Sequence, residues 1–445
     1  MRVQGELAAR RLSAEDLGIL ALENETVAGH TAKVIMVRGS LDLDQLRSSV
    51  AARLPGAPLL RMRLAERDGD PWWVPDPQLD VHAHVVQADQ SAAGEAGFRA
   101  AVAGIFAQHL DRSRPLWRID VIPRLADGGS ALIWRIHHAL ADGMTAMRMA
   151  SAVLWDEEGA SPPRAAGPAR RPPARGQATQ HRFAGLLSAV REVPQPWLRS
   201  PFDGHIDGRR SVAFTTAGLD PLRRAAHAAD GATVNDAVLT VLAGGLRRWL
   251  EAHHGHLGEV RVKVPVSLHH QPPGPGEGGA GPGNRDSFFC LDLPLGSADP
   301  LERLAAIHQA TRVRKVGHDA QHLDALMHEL GRVPRLGQFA QRVLAHPRSF
   351  ALNVSNVPGP RYPVRVLGAP VSAMYSLAEI GEQHALRVAV VSLAGTLNFG
   401  LVADPTLVDG VDRLAAAVQS EAAALAACAP PAGPPEPPQP PRLRT

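Results

Sequence analysis

The chain of 445 residues is short of four things, and each shortage excludes something. Only two cysteines occur, Cys290 and Cys428, far apart. Two isolated thiols build no disulfide framework, so a reduced, cytoplasmic protein is expected. Aromatic residues make up 4% of the chain, which leaves Leu, Val and Ala to fill its cores. No run approaches the roughly eighteen apolar residues of a membrane-spanning helix. The start, Met1-Arg2-Val3-Gln4-Gly5-Glu6, lacks the apolar centre of a signal peptide. Lysine is the fourth scarcity: Lys33, Lys263 and Lys315 are the only ones, so arginine carries the positive charge. A net charge of +3 suits an acidic lipid surface or a phosphate-bearing substrate. It is too small to argue for nucleic acid, and no recognition motif accompanies it.

What is present is 45% hydrophobic residues, in a length that suits two domains. Residues 1–155 mix extended runs (Ala32–Arg38, Pro71–Val74) with helical spacing at Leu43–Leu54 and Ala92–Leu110. Residues 156–204 turn rich in Pro, Ala, Gly and Arg and read as a linker, with a short amphipathic helix over Arg182–Val193. A second mixed block spans 205–428. Strands are expected at Val260–Leu268 and Ser287–Leu295, flanking a Pro/Gly loop at Gln271–Gly283. Two helices follow in 299–345. Extended runs come next at Phe350–Val357, Val364–Ser376, Ala385–Leu393 and Thr396–Ala403, then a closing helix over Leu407–Ala427. The Pro-rich tail, 429–445, is expected to be disordered. Interspersed strands and helices in both blocks point to two α/β lobes with a cleft between them.

The densest chemistry is His137-His138-Ala139-Leu140-Ala141-Asp142-Gly143, behind the apolar run Ala131–Ile136. In a strand, residues two apart share a face. Leu132, Trp134, Ile136 and His138 would point one way, and Ile133, Arg135 and His137 the other. An imidazole titrating at about 6.5 suits a base working near neutrality. Adjacent histidines on a strand diverge, so they do not readily share a metal ion, and none is expected. A turn at Asp142-Gly143 and a helix over Thr145–Trp155 should follow.

Three other segments stand out. Asp111-Arg112-Ser113-Arg114-Pro115-Leu116-Trp117 precedes the histidine strand, and helix termination by Pro115 with packing by Leu116 and Trp117 accounts for much of it. Thr233 and Asp236 fit a helix capping box. That leaves Asn235, an amide donor in a first helical turn, suited to an oxyanion or a polar substrate group. Asn353 to Pro360 reads as a strand entering a rigid turn, with Ser355 and Asn356 on opposite faces.

Together these stretches resemble the bacterial wax ester synthase/acyl-CoA:diacylglycerol acyltransferase family. The matching residues are Leu12–Asp16, Leu110–Trp117, His137–Gly143, Thr233–Asp236, Val264–Ser267 and Ser355–Pro360. The His-His-x-x-x-Asp-Gly signature alone is also similar to that of chloramphenicol acetyltransferase-like enzymes and condensation domains. The resemblance implies an α/β (α+β) fold of two chloramphenicol acetyltransferase-like lobes with the active site in a tunnel between them. It implies transfer of a long-chain acyl group from acyl-CoA, a co-substrate rather than a cofactor, to diacylglycerol or a fatty alcohol. On this match His138 is the base, with His137, Asp142 and Gly143 in the catalytic segment. Asp142 holds its loop through an ion pair, with an arginine as one candidate partner. Pro115, Leu116, Trp117, Asn235, Asp236, Ser355 and Asn356 are expected at the substrate. Peripheral contact with a membrane or lipid droplet follows from such apolar substrates, through residues such as those near 182–198. Another alcohol or an amine as acceptor, or a non-catalytic lipid-binding protein, are the alternatives. Departures occur at Ala28–Ala32, at His269-His270 and at Ser392-Leu393.

Overall fold

The computed structural model describes residues 8–89, 94–156, 200–267, 286–316 and 349–431. The expected linker helix at 182–193, the 271–283 loop, His269 and His270, the second helix of 299–345 and nearly all of the Pro-rich tail lie outside the described residues. The first half contains β1 (Arg10–Arg11), α1 (Ala14–Leu20), β2 (His30–Val37), α2 (Leu43–Arg53), β3 (Met62–Arg67), β4 (Asp70–Pro75), α3 (Val81–His84), β5 (Val85–Gln87), α4 (Gly94–Phe106), β6 (Trp117–Ile122), β7 (Ser130–His137) and α5 (Gly143–Val153). The second contains β8 (Ser211–Gly218), α6 (Leu219–Ala228), α7 (Val234–His254), β9 (Arg261–Ser267), β10 (Asp286–Asp292), α8 (Pro300–Val316), β11 (Leu352–Val357), β12 (Arg365–Val366), β13 (Ala369–Ala378), β14 (Leu386–Leu393), β15 (Thr396–Ala403) and α9 (Val411–Ala427).

Two six-stranded sheets form the lobes, in the orders β12-β13-β2-β7-β6-β5 and β10-β9-β11-β14-β15-β8. A small sheet, β1-β4-β3, stands beside the first. The halves of the chain do not map one-to-one onto the lobes. β13, from the second half, pairs antiparallel with β2 and completes the first sheet. In return, Phe98, Val102 and Phe106 of α4 join the same core as Val212 of β8, Leu222 of α6 and Phe399 of β15.

β7 explains why both lobes hold together around it. Its eight residues are all buried. Ala131 and Ile133 enter one core, and Leu132, Trp134 and Ile136 enter the other, as the period-two pattern requires. Arg135 is tolerated because its Nε and Nη2 donate to Asp120 Oδ2 at 3.1 and 2.8 Å and its Nη1 donates to the Gln108 carbonyl at 2.7 Å. Lys33 of β2 is also buried, and its Nζ meets Ser376 Oγ of β13 at 2.7 Å. Among the described residues no helix is long and apolar enough to cross a membrane.

Candidate active site

The histidine segment leaves β7 one residue earlier than its spacing suggests. The strand ends at His137, and His138 belongs to a turn instead of extending the Leu132-Trp134-Ile136 face. Two backbone clamps make the break. The His137 N–H donates to Leu116 O at 2.9 Å, and the His138 N–H donates to Gly29 O at 3.0 Å. Leu140 then turns back to His137 O at 2.9 Å.

The two rings have different jobs. His137 is buried, and its Nδ1 accepts from the Ala139 N–H at 3.1 Å. The proton must therefore sit on Nε2, which donates to Glu23 Oε2 at 3.1 Å. Burial alone would raise the Glu23 carboxyl. The hydrogen bonds from His137 and Arg112 outweigh that and hold it below its usual value. Arg112 Nε donates to the same oxygen at 3.0 Å. Gly29 is obligatory here: its φ is +66°, and a Cβ would stand 2.7 Å from His137 Nε2. Both ring nitrogens of His137 are thus committed to hydrogen bonds that hold the segment.

His138 is partly exposed. Dense surroundings push its pKa down to about 4, with Arg387 and His137 pushing the same way and Asp142 pulling back. The ring is neutral at pH 7. Asp142 is fully buried and caps α5, its Oδ1 accepting from the Thr145 N–H at 2.6 Å. That capping bond ties the loop to the start of α5. Gly143 opens α5, and a Cβ there would lie 3.0 Å from Val357 Cγ2. This close approach brings the end of β11, with Ser355 and Asn356 partly exposed on it, against the histidine segment. Beyond it, Gly359 N–H donates to Ser392 Oγ at 3.0 Å, which fixes the Pro-Gly-Pro turn.

Four of the residues expected at the substrate, Pro115, Leu116, Trp117 and Asp236, are buried in the packing. Leu116 and Trp117 are 0% and 1% exposed, and Pro115 is buried as well. Trp117 Nε1 donates to Leu60 O at 2.7 Å, its ring stacks on His84, and its carbonyl meets His84 Nδ1 at 2.7 Å. These residues brace β7 from behind. Asp236 is fully buried in the expected capping box with Thr233 and also binds Thr311 Oγ1 at 2.7 Å and His308 Nδ1 at 3.1 Å. It ties α7 to α8. Asn235 is partly exposed in the first turn of α7. Glu23 and Arg387 were not anticipated. Glu23 has no local signal. Arg387 has one: it is the single charge in the mostly apolar β14.

Known proteins resemble this chain along most of its length. The family model for the wax ester synthase/diacylglycerol acyltransferase catalytic domain matches residues 12–196, and that for the WS/DGAT C-terminal domain matches 282–426. A Mycobacterium bovis relative, named by inference a diacylglycerol O-acyltransferase, is 31% identical over 74% of this chain and 72% of its own. A Mycobacterium tuberculosis relative named likewise is 30% identical over 90% and 93%. Among solved structures, the wax ester synthase/diacylglycerol acyltransferase of Marinobacter aquaeolei VT8 superposes with a TM-score of 0.67 at 24% identity, covering 94% of this chain and 98% of that one. The first condensation domain of the calcium-dependent antibiotic synthetase reaches 0.60 at 20% identity over 96% and 98%.

Proposed function

Because the chain belongs to the wax ester synthase/diacylglycerol acyltransferase family, an acyltransferase family, we propose that it moves a long-chain acyl group from acyl-CoA to the hydroxyl of diacylglycerol, with His138 as general base. A long-chain alcohol is the second acceptor of this reading. One observation carries it: His138 is a neutral, partly exposed imidazole on a turn clamped by its neighbours.

The acceptor O–H gives its proton to His138 as its oxygen attacks the thioester carbon. The new C–O bond forms and the carbonyl oxygen takes up the negative charge. Collapse of this intermediate breaks the C–S bond, and His138 returns the proton to the departing thiolate. No serine or cysteine stands beside the histidines in a nucleophile motif, so transfer is direct, in a ternary complex. His137 and Asp142 hold the turn. Asn235, Ser355 and Asn356 are assigned to polar groups of the substrates, in a passage between the lobes. No cofactor is required beyond the co-substrate. The enzyme works at the surface of a membrane or lipid droplet, where its acceptor resides.

The test is an acceptor comparison. The purified chain is incubated with palmitoyl-CoA and either diolein or hexadecanol, and free thiol and ester are both followed. Triacylglycerol in step with thiol release is expected. Thiol release without ester from either acceptor sinks the proposal, because it marks hydrolysis.

A further inference from the structure

β14 carries a charge where its pattern calls for an apolar residue. Leu386, Val388 and Val390 enter one core, while Val391 and Leu393 enter the other, which also holds Ala139, Leu140 and Ala141. Arg387 has the parity of Val391 and Leu393, so it lies on the face turned toward the histidine segment. The neighbouring strand repeats the rule. Leu352 and Val354 go one way, and Val357, in register with Val391, goes the other and touches Gly143. Arg387 itself is in register with Asn353.

The guanidinium is only partly spent. Nη1 donates to the Glu379 carbonyl at 2.8 Å. Nε is buried with no hydrogen-bond partner, as is Asn353 Oδ1. The Glu379 carboxylate is taken up by Arg210 Nε at 2.9 Å and by the Ala28 and Ile380 N–H groups at 3.2 and 3.0 Å. Burial draws Arg387 down to about 10, so it remains a cation at neutral pH. After burial, this cation is the largest influence on His138.

A cation beside a base weakens the base, and burying a guanidinium with an idle donor costs more. Both costs are offset if negative charge develops at that spot during the reaction. We propose that Arg387 is a catalytic residue of the acyl transfer, its guanidinium meeting the charge on the thioester carbonyl oxygen in the tetrahedral intermediate. This rests on the His138 reading above, and moves the oxyanion contact considered for Asn235 to β14 of the same lobe. Arg387 gives up no proton. It holds the oxygen while the C–O bond forms and the C–S bond breaks.

The experiment compares wild type, His138→Ala, Asn235→Ala, Arg387→Met and Arg387→Lys for ester formed from palmitoyl-CoA and diolein. Removing one oxyanion donor lowers turnover by about 10²–10³. That loss is expected in kcat for Arg387→Met, with KM for palmitoyl-CoA within a few-fold. The lysine variant keeps the charge and falls between it and wild type. The acid limb of kcat/KM should also rise in the methionine variant, because a cation opposing protonation of His138 is gone, and stay put in the lysine variant. Should the methionine variant not fold, Arg387→Gln takes its place with the same expectations. A folded neutral variant with near-normal kcat, or a loss confined to KM, overturns the role of Arg387 while leaving that of His138 intact. A wild-type chain that makes no ester overturns both.

Discussion

At the scale of single residues, the proposed reaction turns on one neutral ring. A free histidine titrates near 6.5, and His138 is pushed to about 4, first by burial and then by Arg387. The ring is therefore neutral through the whole neutral range, the form that the proposed base requires. The acid limb of kcat/KM should fall near pH 4, measured with ester product as the readout. A limb at 6–7 would assign the titration to some other group. Stability moves in the same window. His30, buried edge-on to Phe106, is also held well below its ordinary value. For both rings the unfolded chain binds the extra proton first, so stability declines as pH drops below about 6.5. Activity at pH 4–5 must be read against a folded-fraction measurement for that reason. The motif itself was legible in the sequence. The division of labour was not: that His137 spends both nitrogens on the loop depends on Glu23, which lies 114 positions away.

At the scale of elements, local pattern did well where burial is two-sided or capping is explicit. β7, β14, β15 and α7 are dominated by apolar residues, and the Thr233–Asp236 box stands where expected. It did poorly for β8, whose Ser-Val-Ala-Phe-Thr-Thr-Ala-Gly owes its strand to pairing with β15 and packing by α4. Sequence also left Leu116 and Trp117 between packing and binding, since a tryptophan serves either. Burial and the bond to Leu60 support the packing role. Trp117→Ala should cost about 3–5 kcal/mol, since it empties a large core site and strands the Leu60 carbonyl. Chemical denaturation reads this directly. Trp117→Phe should be milder, with acyl-CoA binding unchanged. A stable alanine variant that has lost only acyl-CoA affinity would return Trp117 to the substrate.

At the scale of the whole molecule, the two lobes exchange parts. β13 reaches from the second half into the first sheet, and α4 reaches from the first half onto the core of the second. Residue-by-residue patterns do not reveal such pairing, because each strand looks the same whichever sheet receives it. Residues 1–155 alone would leave β2 as an open edge, strand Lys33 without Ser376, and expose Phe98, Val102 and Phe106. They should show no cooperative thermal transition by near-UV circular dichroism, and a sharp one would mean that the exchange is dispensable. The proposed site depends on the same closure, since Arg387 and Val357 come from one lobe and His138 from the other. The most direct test of the account is the rate of triacylglycerol formation by His138→Ala beside wild type, at equal concentrations of folded protein. A positioned base contributes about 10²–10⁴-fold, so a drop of at least about a hundredfold is predicted. Near-normal ester formation by the folded variant would contradict the assignment of the base.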